Sequence, residues 1–180
     1  MTNKLKSLVK HLWLDAADTR RAIPPDMLGR LAQRVAASEQ RHGGQIRICV
    51  ESSLPISYLW RLGRRNSMGA LTRQRAVALF GELRVWDTEH NNGVLIYLLL
   101  AEHAIEIVAD RGLRPHVSPA QWQAMVARLA QAFRDRCYED GLTEALEETS
   151  AVLMAHFALQ DANHRTQAQP NELPDKPLLL

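Results

Sequence analysis

Cysteine is scarce in this chain: 180 residues hold only Cys49 and Cys137, far apart. That rules out a disulfide framework and any cysteine-based metal or redox spacing. Charge of one sign is lacking too. Twenty-two Lys and Arg stand against 20 Asp and Glu, a net of +2, so the chain as a whole is no nucleic-acid polycation. No apolar run spans a bilayer, since Val94–Leu100 falls far short of the ~20 residues required. G-x-S-x-G elbow, Walker loop and dinucleotide glycine fingerprint are all missing, which leaves nucleophilic catalysis with little support and predicts no nucleotide or organic cofactor. The start, MTNKLKSLVKHLWLDAADTRR, spaces its apolar residues by charge, unlike a signal peptide. The expectation is therefore a soluble, cytoplasmic domain of ordinary composition, large enough to bury a core.

What the chain does have is centred on Trp86–Gly112. Val94–Leu100 is apolar at odd and even positions alike, as in a strand covered on both faces. A short turn near Ala101–His103 leads to a second strand, Ala104–Asp110. Polar residues gather at the two outer ends: Asp87, Glu89, His90, Asn91 and Asn92 before the first strand, Asp110 and Arg111 after the second. An antiparallel pair brings those ends side by side.

Around this hairpin, Leu5, Leu8, Val9, Leu12 and Trp13 recur at helical spacing among Lys4, Lys6 and Lys10. Such an amphipathic helix is expected to pack on its own domain; contact with a membrane surface is the alternative. Pro24-Pro25-Asp26 starts a second helix, with Leu28, Leu31, Ala32 and Val35 inward and Gly43-Gly44 as its end. Gln45–Ser53 alternates through Ile46, Ile48 and Val50, a strand in which Cys49 is a buried free thiol. Ser57–Leu83 reads as a helical crossover in two pieces, interrupted over Arg64–Gly69. From Ser52 to Gly81 there is no acidic residue, whereas Arg61, Arg64, Arg65, Arg73 and Arg75 all fall there.

Strand, crossover and strand predict a parallel, right-handed βαβ unit, to which the hairpin adds an antiparallel strand. Ser118, Pro119 and Gln121 form a capping-box start to a helix carrying Trp122, Met125, Val126, Leu129 and Phe133. Glu139-Asp140-Gly141 is read as the break before a last helix with Leu142, Leu146, Leu153 and Phe157. Tryptophans 13, 60, 86 and 122 are assigned mostly to apolar stripes in the core, with Trp86 beside Asp87 as the exception. Residues 1–23 are thus an N-terminal amphipathic helix, 24–160 the main domain, and 161–180 a polar, proline-punctuated tail. Its closing Pro-Leu-Leu-Leu is apolar enough to fold back onto the domain or onto a neighbour.

Several segments taken together resemble the TPM domain family. They are His42-Gly43-Gly44 before the strand QIRICV, the helix ending Ala78-Leu79-Phe80, then Asn91-Asn92-Gly93-Val94-Leu95-Ile96, then Ile105-Glu106-Ile107-Val108-Ala109-Asp110-Arg111-Gly112. The resemblance covers about residues 26–157 and implies a three-layer α/β/α sandwich with a small mixed sheet and extra N- and C-terminal helices. Many relatives are exported or membrane-anchored; the chain looks like a cytoplasmic bacterial branch without leader or anchor. The family includes a thylakoid-lumen protein of photosystem II repair. The resemblance also implies acid-phosphatase-like activity, as in plants, and calcium binding, as in a bacterial member.

Two constellations bear on chemistry. Asp87, Glu89, Asn92 and Asp110 offer the oxygen ligands that Ca2+ or Mg2+ take, although their spacing fits no EF-hand. The alternative is that Asp87 and Asn92 only cap turns through their own backbone. Of His90, His103 and His116, only His90, at the acidic loop, is carried forward as a ligand or catalytic candidate, beside Asp87 and Arg111. Arg64, Arg65 and Arg111 are the anion-binding candidates, since guanidinium forks match phosphate and carboxylate. The competing reading of the crossover arginines is a solvated face balancing the acids of Asp135–Glu148. The functional expectation is a divalent-cation site with weak phosphatase activity. The other hypothesis is a non-enzymatic interaction or scaffold module whose partner docks on the basic crossover or takes up the tail.

Overall fold

The computed structural model of the chain describes residues 9–14, 16–63, 66–158 and 171–180. After helical residues 9–13, the elements are α1 (Ala16–Ala22), α2 (Pro25–Glu39), β1 (Gln45–Glu51), α3 (Ile56–Leu59), α4 (Met68–Glu82), β2 (Gly93–Leu99), β3 (Ala104–Ala109), α5 (Pro119–Arg134), α6 (Tyr138–His156) and β4 (Leu178–Leu179). The strand order is β3-β2-β1-β4. β1 and β2 are parallel, with Gln45 opposite Gly93 and Glu51 opposite Leu99, and β3 is antiparallel to β2. The βαβ unit and hairpin expected from the sequence are both present, in an α/β sandwich with helices on the two faces of a mixed sheet.

Strict alternation along the strands divides the core in two. Ile46, Ile48, Val50, Val94, Ile96 and Leu98 face α2, α5 and α6. Cys49, Leu95, Tyr97 and Leu99 face α3 and α4. Being covered on both sides, β1 and β2 are buried at every position; β2 is apolar throughout, while β1 carries Gln45, Arg47 and Glu51 on one buried face.

Ser118 and Gln121 form the capping box expected of them, each satisfying the other's backbone amide, with Pro119 in the first turn. Two boundaries differ from expectation. Helix α2 ends at Glu39, before the glycine pair. Gly44 instead lies so close to Leu153 that a Cβ there would meet Leu153 Cδ2 at 2.5 Å. And Glu139-Asp140-Gly141 lies inside the first turn of α6; the break falls at Arg136, where φ is 61°. Acidic residues suit a helix N-terminus as well as a loop, and here the dipole favours them.

The C-terminal segment folds back on the domain and closes the sheet edge. Leu178 and Leu179 pair in parallel with Cys49 and Val50. Leu179 packs into one core layer, Leu178 and Leu180 into the other, as strand alternation requires. Two residues in a proline-flanked, mostly polar stretch carry no periodic signal, so this strand was not legible beforehand.

The tryptophans depart furthest from expectation. Trp13 is 83% and Trp60 80% exposed, and Trp86 is half exposed; only Trp122 is packed against the core. Helical periodicity shows that apolar residues share a face, but not that the face turns inward.

Candidate functional site

The site lies at the sheet end where β2 begins and β3 finishes. The Asp110 amide donates to Gly93 O (2.9 Å) and the Gly112 amide to Asn91 O (2.9 Å), so the loop before β2 and the turn after β3 are bonded together. Arg111 Nε donates to Asn91 Oδ1 at 2.8 Å. Asn91 takes φ 52°, a left-handed conformation that asparagine tolerates better than most residues. Gly112 is required by close approach: a Cβ there would lie 2.5 Å from Asn91 O and 2.9 Å from His90 O.

Two side chains are buried in this junction, Asn92 at 1% and Asp110 at 8% exposure. Asn92 Nδ2 donates to Gly43 O at 2.8 Å, and its backbone amide donates to Thr88 Oγ1 at 3.1 Å. The acceptor at Gly43 fixes which end of the amide is nitrogen, so the orientation of Oδ1 follows. Asp110 Oδ1 accepts the Arg111 amide at 2.6 Å, capping the short turn Arg111–Leu113. Neither Asn92 Oδ1 nor Asp110 Oδ2 has any donor. Leaving a buried carbonyl or carboxylate oxygen unpaired costs on the order of 1–3 kcal/mol, more when it is charged. Two buried oxygens on these bonded chain ends are thus left without a donor.

The backbone around Gly43 is held by the preceding histidine. His42 Nδ1 bonds Gly44 O at 3.2 Å and His42 Nε2 pairs with Ser38 Oγ at 3.0 Å. Burial lowers the His42 pKa to about 4, so the ring is neutral, donating from Nδ1 and accepting the serine hydroxyl at Nε2. On the other side, Glu172 of the C-terminal segment accepts the Glu89 amide at 2.9 Å. Gln45 Oε1 takes the amides of Glu172 and Leu173. Glu39 accepts the Ile46 amide at 2.7 Å; burial, reinforced by the nearby Asp175 carboxylate, pushes its pKa up to about 8. None of these supports was singled out from the sequence, because each depends on contacts between segments remote along the chain.

The chain ends that carry Asn92, Asp110 and Arg111 are hydrogen-bonded to each other, as antiparallel pairing of the hairpin requires. Asp87, Glu89 and His90 are exposed on the loop; the Asp87 amide bonds Arg84 O, and Glu89 enters the network through its backbone only. Among the described residues no three of His, Cys, Asp and Glu are grouped to hold a metal ion. Arg64 and Arg65 lie outside the described residues.

Of the described crossover arginines, Arg73 bonds Ile107 O and Glu106 and Arg75 is paired with Glu51, while Arg61 bonds the Gln74 side chain at the surface. Two acids of α6 are met from other helices, Glu139 by Arg30 and Arg34 and Glu148 by Arg128. His116 stacks on His156 with ring centroids 4.3 Å apart, at a groove of about 520 Å³ between α5 and α6 that contains none of the site residues.

The family model for the TPM domain matches residues 17–152 of this chain. Among solved structures, the chain is similar to the BA42 protein of the psychrophilic bacterium Bizionia argentinensis. That likeness has 20% identity and a TM-score of 0.67, covering 87% of this chain and 94% of that one. It is also similar to the N-terminal domain of a protein from P. gingivalis, at 18% identity and a TM-score of 0.53, over 72% of this chain and 76% of the other. At such identities the likeness is one of fold. No curated protein matches the chain.

Proposed function

The chain belongs to the TPM domain family, and on that premise we propose that it is a divalent-cation-binding domain with its site at Asn92 and Asp110. One observation carries the reading: Asn92 Oδ1 and Asp110 Oδ2 are buried on bonded chain ends and lack any donor. Their chemistry fits the ion. An amide carbonyl, a carboxylate and neighbouring backbone carbonyls make an all-oxygen set, which suits Ca2+ or Mg2+ and not a thiophilic metal. Asp87 and Glu89, exposed on the same loop, would add carboxylate oxygen from the solvent side.

A phosphatase reading has narrower support, the placement of Arg111. Its guanidinium is held beside Asn91 at the rim of the same junction, where it would bind an anionic group. A bound cation would supply polarisation of a phosphoryl oxygen; the protein's own part would be to orient the ester through Arg111.

Thermal melts with Ca2+, Mg2+ and EDTA test the first reading. A ligand that binds only the folded state raises the melting temperature, by the equivalent of about 2.7 kcal/mol at a hundredfold excess over Kd. Asn92→Ala and Asp110→Asn should abolish the rise. No shift in the wild-type protein at millimolar metal removes the proposal. For the second reading, phosphate-ester hydrolysis should fall in Asp110→Asn and Arg111→Ala; unchanged rates in both would assign any activity to another source.

A further inference from the structure

At the opposite end of the sheet, the polypeptide turns apolar side chains outward. In helical residues 9–13, His11 is the buried residue, whereas Leu12 and Trp13 are 65% and 83% exposed and Val9, on the same face as both, is exposed as well. His11 anchors the helix in this inverted sense. Its Nδ1 accepts the Leu54 amide at 3.1 Å, so the proton sits on Nε2, which donates to Glu102 Oε1 at 3.2 Å. Leu54 leads directly into α3, where Ile56 is exposed and Trp60, one turn on, is 80% exposed.

Two segments joined at Leu54 therefore present Val9, Leu12, Trp13, Ile56 and Trp60 at one end of the molecule. Side chains four-fifths exposed project from a surface and do not line a groove. That form suits a fluid partner better than a shape-complementary one.

We propose that this end of the sheet docks on an anionic lipid bilayer. The charge around the apolar residues points to that occupant. Residues 1–14 contain Lys4, Lys6 and Lys10 and no acidic residue; Ser52–Gly81 contains no acidic residue either, and of its five arginines Arg61, Arg64 and Arg65 remain once Arg73 and Arg75 are engaged with Glu106 and Glu51. Lys10 and Arg61, which adjoin exposed apolar positions, are themselves exposed. Glu102, which accepts from the anchor His11, also lies 4.0 Å from the Lys10 ammonium, so it offsets part of that lysine's charge. Tryptophan with flanking lysine and arginine is the composition of a helix lying in the membrane interface. In such a helix the rings sit at headgroup depth and basic side chains meet lipid phosphate. No described helix is long and apolar enough to cross a membrane, so the docking is peripheral.

The test uses the full chain and vesicles of phosphatidylglycerol and phosphatidylcholine in equal parts, with pure phosphatidylcholine as control. The wild-type protein should co-sediment with the anionic vesicles, shift its tryptophan emission to the blue, and release as salt is raised. Trp13→Asp combined with Trp60→Asp should lower the partition coefficient about tenfold or more while melting as the wild type does, since both rings are exposed.

The proposal is overturned if the wild-type protein stays in the supernatant at low salt, if it binds both vesicle types equally, or if the double variant binds as the wild type does. A wild-type dimer that the double variant abolishes, without vesicle binding, would assign the patch to a second copy of the chain and overturn it equally.

Discussion

Two buried carboxylates at opposite ends of one sheet are treated in opposite ways. Glu51, the last residue of β1, is fully partnered. Arg75 grips it through Nε and Nη2 at 2.8–3.1 Å, and the Tyr97 hydroxyl donates to it at 2.6 Å. Burial beside that carboxylate drives the Tyr97 phenol well above its ordinary pKa, so it remains a donor at every physiological pH. Asp110, equally buried, keeps one oxygen without a donor. A carboxylate that is completely satisfied stabilises the fold, while one left short is available to something from outside. On the proposed reading, that difference separates a structural acid, Glu51, from a binding one, Asp110.

The largest effect should come from breaking the satisfied end. Arg75→Ala would strand the Glu51 charge in the core and lower stability by about 3–5 kcal/mol in urea unfolding. Adding Glu51→Gln should recover much of that loss, because the uncompensated charge is then gone. If Arg75→Ala were nearly neutral, Glu51 would not be the structural acid described.

Next in size are the titrations near the site, which work in opposite directions. Glu39, pushed up to about 8 from an ordinary 4.5, holds its proton in the folded state after the unfolded chain has lost it. Its contribution is fully present below pH 4.5 and is lost as pH rises through 8. Glu39→Gln should therefore stabilise the protein at about pH 9, by on the order of 2 kcal/mol, and change little at about pH 5. His42, lowered to about 4 from 6.5, behaves conversely: stability is intact above 6.5 and falls as pH drops toward 4. The melting temperature should peak between the two limbs, near pH 6, and His42→Gln should flatten the acid limb. A peak displaced to pH 8 or above would contradict both assignments.

Smaller still is the cost of removing the available acid. Asp110→Asn keeps the oxygen that accepts the Arg111 amide and removes an unpaired charge. Without added metal its stability should lie within about 1 kcal/mol of wild type, in contrast to the damage done at Glu51. Trp13→Ala, at an exposed position, should move unfolding by less than about 0.5 kcal/mol while touching only the surface end.

The sheet was legible in the sequence because its signals are local or alternating. Val94–Leu100 is apolar throughout, the crossover has the length of a βαβ connection, and Ser118-Pro119-x-Gln121 writes its own cap. The pairing of the chain ends that carry Asn92 and Asp110 was legible too, since any hairpin brings its outer ends together. What no pattern carries is satisfaction and direction. That Asn92 donates to Gly43, so leaving Oδ1 bare, depends on β1 lying beside β2. That Glu172 reaches the Glu89 amide depends on a two-residue strand in a polar tail. The helix of residues 9–13 has the periodicity of a core-facing element, yet one histidine bonded to Leu54 and Glu102 turns it over.

The central claim concerns the oxygen pair, and calorimetric titration of Ca2+ into the wild-type protein and Asp110→Asn tests it most directly. The account requires one site per chain in the wild-type protein and none in the variant, with both equally folded before metal is added. Equal binding by the two, or none by the wild type, would contradict it.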